Sequence, residues 1–148
     1  QYFDKEYILI FPFCSPKLNK KKWPHYKDLI TLLNREYDSK YHIAIAPGPT
    51  EVNESKDFKA NIVLNNNLPL NIVELISLIN KSAYVISNDT GPAHICAHLN
   101  KKGIVLFGSH TTPEKVSIET ENFKSLRAKN LKDLNVSDVF EKVKENLN

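Results

Sequence analysis

The sequence has little that would tie it to a membrane, a metal or a disulfide framework. None of its 148 residues fall in an apolar run near the roughly 20 needed to cross a bilayer, and no basic, apolar and small-residue succession marks a secretory signal. The two cysteines, Cys14 and Cys96, stand far apart in apolar surroundings and form no Cys-x-x-Cys spacing. The expectation is therefore reduced, buried thiols in a soluble, intracellular protein. No Asp-x-Asp pair is present to bridge a divalent cation to a phosphorylated ligand. Internal repeats, low-complexity tracts and long linkers are also missing. The net charge of +3 is too modest to imply nucleic acid. The densest basic stretch, residues 17–22, precedes Trp23 and Tyr26, a combination able to stack a base beside a phosphate groove. A solvated loop is the better reading for most of those lysines.

What is present is an alternation. A chain of this length fits one domain and buries about 68 to 70% of its unfolded surface, enough for a core without disulfide or metal. Residues 7–13 form a β-rich apolar run closed by Pro16; after Pro24, the recurrence of Tyr26, Leu29, Ile30, Leu33 and Tyr37 predicts a helix. Residues 42–46 and 61–64 are further short apolar runs. Asn71 and Glu74 have capping-box spacing, and Ile72, Leu75, Ile76 and Ile79 would supply the apolar face of the helix that follows. Strands are expected at 83–87 and 103–107, with a small-residue helix at 93–99 between them. Ser137 is the expected cap of a last helix with Val139, Phe140, Val143 and Leu147 inward. Strands alternating with helices favour an α/β fold, a Rossmann-like three-layer sandwich with a mostly parallel sheet. In such sheets ligands bind beyond the carboxyl ends of the strands, where loops 14–23, 47–54, 88–94 and 108–113 would converge.

The stretch Ser87-Asn88-Asp89-Thr90-Gly91-Pro92-Ala93-His94 carries the most information. A buried strand ending in Asn, Asp and Thr and then Gly-Pro feeds a tight turn and a helix N-terminus. Unpaired N–H groups and the positive end of the helix dipole favour an anion there, and Gly91 admits close approach to the backbone. Asp89 and His94 would flank the ligand. An ordinary Asx turn capping a helix explains the same four residues locally. His94 and His98, at i and i+4 with Cys96 between, have the spacing of a helical zinc site with His110 as a third ligand. No Glu follows His94 as a metalloprotease motif requires, and one ligand-facing histidine with one packed histidine is the favoured reading.

The segment SNDTGPAHICAHLNKKGIVLFGSHTTPEK resembles the signature of glycosyltransferase family 9, the ADP-heptose:lipopolysaccharide heptosyltransferases, in its Asp-Thr-Gly-Pro-x-His core and its Leu-Phe-Gly-x-x-x-x-Pro element. The earlier ILIFPFCSPKLNKKKWPHYKDLITLL is similar to the first strand and helix of that family's donor domain, with Lys-x-Trp-Pro at residues 21–24. The resemblance covers nearly the whole chain. It implies that residues 1–148 are a single nucleotide-sugar-binding domain, the C-terminal half of a GT-B glycosyltransferase. An N-terminal acceptor domain, absent from this sequence, would hold the general base, so the resemblance names no catalytic residue here. The implied reaction is an inverting, metal-independent transfer of heptose or a similar sugar from ADP-heptose to a lipopolysaccharide core acceptor. It needs no cofactor and no nucleic acid. The complete enzyme would be cytoplasmic and peripheral to the inner membrane.

Carried over residue by residue, the resemblance places Lys21 on the donor diphosphate, with Lys20 or Lys22 as alternatives, and Asp89 on the transferred sugar. Thr90 and Gly91 would give backbone N–H groups to the phosphates, and His94 would support that loop or touch the diphosphate. Ser15 falls at a small polar position near the phosphates. Glu51 falls at an acidic position for ribose or adenine, and Glu54 is the alternative. Several residues depart from the family pattern: Phe13 replaces a Gly, Cys96 and His98 replace small residues, and residues 100–102 replace a Gly-x-Pro. Phe13 would narrow the phosphate approach. Two other readings fit the same features, a non-catalytic nucleotide- or sugar-binding module and the donor domain of another GT-B enzyme such as a nucleotide-sugar epimerase.

Overall fold

The computed structural model describes residues 3–109 and 118–148. Six parallel strands form one sheet in the order β3-β2-β1-β4-β5-β6. They are β1 (Tyr7–Phe11), β2 (His42–Ile45), β3 (Asn61–Ile62), β4 (Tyr84–Asn88), β5 (Gly103–Phe107) and β6 (Phe123–Arg127). The helices are α1 (Tyr26–Tyr37), α2 (Val52–Ser55), α3 (Ile72–Lys81), α4 (Gly91–His98) and α5 (Val136–Leu147). The expected three-layer α/β architecture is therefore present. The central strands β1, β4 and β5 are buried along their whole length, as sheets covered on both faces require.

Strand alternation divides the core in two. Ile8, Ile10, Tyr84, Ile86, Ile104 and Leu106 pack against α1 and α5, through Leu29, Ile30, Leu33, Val139 and Val143. Tyr7, Leu9, Phe11, Val85, Val105 and Phe107 face α3 and α4, through Leu78, Ile79, Ala93 and Cys96. Gly103 pairs with Val85 across β4 and β5, and a Cβ there would lie 2.3 Å from the Val85 carbonyl oxygen, which only hydrogen tolerates.

Several sequence expectations shift. The first strand stops at Phe11, and residues 12–13 lie beyond it. The third strand is two residues, Asn61–Ile62. Loop 14–23 contains a 3-10 segment, Pro16–Lys21, kinked at Leu18. Asn71 and Glu74 do form a capping box, but the buried stripe of α3 runs through Leu78 and Ile79 while Ile72 and Ile76 are exposed. The helix is rotated by about one position because its C-terminal half docks on the sheet. The cap of α5 is Asn135, whose side chain accepts from Asp138 N–H; Ser137 is a helical residue on the exposed side. β6 escaped the sequence reading. FKSLR is polar, and an edge strand buries little of it.

One buried side chain joins the parts of this framework that border the sheet's carboxyl edge. Asn88, the last residue of β4, is fully buried. Its Oδ1 accepts from the Trp23 backbone N–H at 3.2 Å and the Tyr26 hydroxyl at 3.0 Å, and its Nδ2 donates to the Phe13 carbonyl at 3.3 Å. Asn88→Ala strands three buried groups, so it is expected to lower stability by about 3 kcal/mol in urea unfolding followed by Trp23 fluorescence. In the same assay Asn135→Ala should cost about 1 kcal/mol and Ser137→Ala almost nothing.

Candidate functional site

The strand order reverses between β1 and β4, and the loops leaving these two strands part there to leave a crevice. A cavity of about 280 Å³ occupies this switch point. Phe11, Ala46, Pro47, Leu70 and Leu75 give it apolar walls, and Ser15, Glu51 and Thr90 bring polar groups to it. The Glu51 carboxylate is fixed beside it, since its Oε1 accepts from the Gly48 N–H at 2.8 Å. A slot of this kind suits a flat ring between apolar walls with hydroxyls reaching an acidic rim.

Beside the slot lies a charge cluster. Asp89 is only 2% exposed, and its two carboxylate oxygens face Lys21 Nζ at 3.6 Å and His94 Nε2 at 3.8 Å. Lys21 and His94 remain accessible, at 26% and 46%. A buried carboxylate thus gathers one permanent cation and one protonatable ring next to the start of α4. The cap of that helix, Thr90, makes no side-chain capping bond; the Ala93 and His94 N–H groups turn back to the Thr90 carbonyl, which leaves the helix dipole and the exposed Gly91 backbone at the crevice. Gly91 has no positive φ, and a Cβ on it would meet nothing within 4 Å. The absent side chain leaves the backbone open from above.

The structure therefore sorts the seven candidates. Ser15, Glu51 and Thr90 line the slot; Lys21, Asp89 and His94 form the adjoining cluster; Gly91 connects the two. The alternatives lie elsewhere. Lys22 and Glu54 pair with each other and line a second cavity, of about 370 Å³, and Lys20 is exposed. Phe13 lies against the slot but is drawn into the core, edge-on to Phe58 at 5.7 Å. Cys96 turns into the core while His98 is exposed, and His110 lies outside the described residues, as do residues 110–113 of the fourth expected loop. Among the described residues no three His, Cys, Asp or Glu side chains are grouped to hold a metal ion.

Sequence reading missed the apolar half of the slot. Leu70 and Leu75 belong to a loop and helix that read as ordinary amphipathic structure. Their one local sign is that Leu70 directly precedes the capping residue Asn71. Asn88 stood inside the recognised motif, but no role in joining loops could be read for it from spacing.

A parallel sheet with a ligand-sized slot at its switch point defines a doubly wound, Rossmann-like α/β domain. The chain belongs to glycosyltransferase family 9 (heptosyltransferase), whose family model matches residues 1–144. Among solved structures, Escherichia coli heptosyltransferase WaaC with ADP superposes with a TM-score of 0.82 at 26% identity, over 96% of this chain and 44% of that one. E. coli ADP-heptose lps heptosyltransferase II gives 0.78 at 19% identity, over 97% of this chain and 47% of that one. A Methanocaldococcus jannaschii UDP-GlcNAc 2-epimerase in complex with UDP-GlcNAc and UDP shares the fold with a TM-score of 0.67 at 18% identity, over 97% of this chain and 39% of that one. This chain thus spans less than half the length of these proteins. A search of curated proteins finds no match.

The two thiols are both free but differ in setting. Against the expectation of two buried thiols, Cys14 is only half-buried: it lies in the slot wall, and its Sγ donates to the Leu18 carbonyl at 3.3 Å. Burial raises the pKa of both, that of Cys96 to about 12. Because the thiolate is the reacting species and its fraction grows with pH, native-state alkylation should be confined to Cys14. Its rate should keep rising above pH 9, where an ordinary thiol levels off. Cys96 should react only on unfolding. Peptide mass mapping after iodoacetamide treatment across a pH series checks all three outcomes.

Proposed function

We propose that this chain binds the nucleotide part of an ADP-sugar, most simply ADP-heptose, as the donor domain of a glycosyltransferase acting on a lipopolysaccharide core acceptor. The observation that carries the reading is the slot at the switch point, with an acidic rim on one side and the Lys21–Asp89–His94 cluster and the open start of α4 on the other. Adenine fits between the apolar walls and the ribose reaches Glu51. The diphosphate then meets the α4 N-terminus and Lys21. The likeness to WaaC, solved with ADP at 26% identity, supports the choice of base.

In the transfer we assign to the complete enzyme, an acceptor hydroxyl attacks the anomeric carbon from the face opposite the diphosphate, inverting it as the nucleoside diphosphate leaves. Negative charge grows on the leaving phosphate. Lys21, His94 when protonated, and the backbone N–H groups of Thr90 and Gly91 would stabilise it, which makes a divalent cation unnecessary. Such preorganised donors are often worth a few kcal/mol each. Asp89, nearly buried behind Lys21 and His94, holds them in place. Ser15 adds a hydroxyl to the phosphate side. The general base and the acceptor site belong to an N-terminal half paired with this domain, and the assembled enzyme would work at the inner face of the cytoplasmic membrane.

Calorimetric titration with ADP, UDP and GDP tests the reading. ADP should bind best, and Lys21→Ala should weaken it about tenfold, the loss of one charge-assisted contact to phosphate. A preference for UDP would instead place the chain with the nucleotide-sugar epimerases whose fold it shares. In a complete enzyme Asp89→Ala should lower turnover at least tenfold; a wild-type rate would remove Asp89 from the site.

A further inference from the structure

We propose that the Lys22–Glu54 ion pair is a latch that positions Glu51 in the slot, so that Lys22 and Glu54 set nucleotide affinity without touching the nucleotide. The inference rests on the nucleotide-binding reading above. Lys21 and Lys22 are adjacent in sequence yet reach opposite ways, Lys21 to Asp89 after β4 and Lys22 to Glu54 in α2. The segment that bears them is thereby fastened to the loops after β4 and β2, two of those that frame the slot.

The case for positioning comes from what holds α2. Four residues are too few for a self-sustaining helix, so its place must be set by outside contacts. Glu51, its N-cap, and Glu54 lie three positions apart on the same turn, so moving one moves the other. Of the four residues of α2, Ser55 is buried, while beside Glu54 there is a cavity of about 370 Å³ bordered by Lys22, Trp23, Glu54 and Phe58. The ion pair spans that space: Lys22 Nζ donates to Glu54 Oε1 at 2.5 Å.

The lysine end is rigid. Its neighbour Trp23 is buried, with its backbone N–H on Asn88 and its indole N–H donating to the Leu134 carbonyl at 2.7 Å. Farther along, Lys27 lies over the Phe58 ring at 5.5 Å and Asn34 donates to the Lys59 carbonyl at 3.0 Å. Those ties hold the chain after α2. Lys22–Glu54 is a side-chain tie from the β1–α1 loop to α2 itself.

The pair is partly exposed, so its effect is modest and falls with ionic strength. The test combines ADP titrations of the wild type, Lys22→Ala, Glu54→Ala, the double alanine variant and the charge swap Lys22→Glu/Glu54→Lys with hydrogen exchange of the amides of residues 48–55 in the ligand-free proteins. Each single variant should weaken ADP about two- to fivefold at low salt. The double variant should be no worse than either single one, the swap should recover most of the loss, and the differences should shrink at high salt. Amides 48–55 should exchange faster in both single variants and return toward wild type in the swap, with the thermal midpoint unchanged throughout. Weakening by Glu54→Ala but not by Lys22→Ala would make Glu54 a ligand of the nucleotide and overturn the proposal, as would unchanged exchange in Lys22→Ala. If the wild type binds no nucleotide, the functional reading fails by itself, and exchange at 48–55 alone decides whether the latch exists.

Discussion

The buried amide of Asn88 is the joint on which this structure depends. It ends the central strand β4 and ties that strand to the Phe13 carbonyl after β1 and to Trp23 and Tyr26 at the entry to α1. Only a side chain with both a carbonyl and an NH₂ group can serve these three partners together. Each of them would otherwise be a polar group stranded in an apolar corner, the costliest outcome available to it. Because the joint closes at the switch point, the same bonds that complete the fold also set the width of the crevice between the β1 and β4 loops.

Electrostatics then builds on that joint. Asp89 follows Asn88 directly, so the amide that pins the strand also places a carboxylate at the foot of the crevice. A lysine and a histidine gather on it while remaining accessible from outside. The cluster, the start of α4 and the bare backbone at Gly91 put a lysine ammonium, an imidazole and the positive end of a helix dipole on one side of the slot. Glu51, held by the Gly48 N–H, makes the other side acidic. A ligand with phosphate at one end and hydroxyls farther along meets complementary charge in a fixed order. The adjacent lysines 21 and 22 keep the two sides in register.

Much of this was legible in the residues. Central strands betray themselves because burial on both faces demands continuous apolar runs, as in YILIF and GIVLF. The Asn71–Glu74 box is legible because capping is a local interaction spanning three residues. The turn from Ser87 to His94 is legible because few residue types suit a tight strand-to-helix corner. β6 was lost because an edge strand buries one face poorly and so carries little pattern. The phase of α3 was misplaced because periodicity finds an apolar stripe but not which edge of it the sheet will cover. Ser137 and Asn135 are both good caps, and which one serves depends on where the preceding 3-10 turn, Leu131–Asp133, releases the chain.

The sequence by itself determined the layered α/β fold, through local propensity and periodicity, and carried the family through its resemblance to a known signature. Tertiary structure decided which of the candidate residues share a surface. Lys21, and not Lys20 or Lys22, faces Asp89; Glu51, and not Glu54, lines the slot; Phe13 turns into the core; Leu70 and Leu75 become slot walls. Lysines one position apart and glutamates three apart are equivalent in spacing. Only the direction in which a kinked 3-10 segment and a one-turn helix present them, fixed by contacts with residues far away in sequence, separates one from the other.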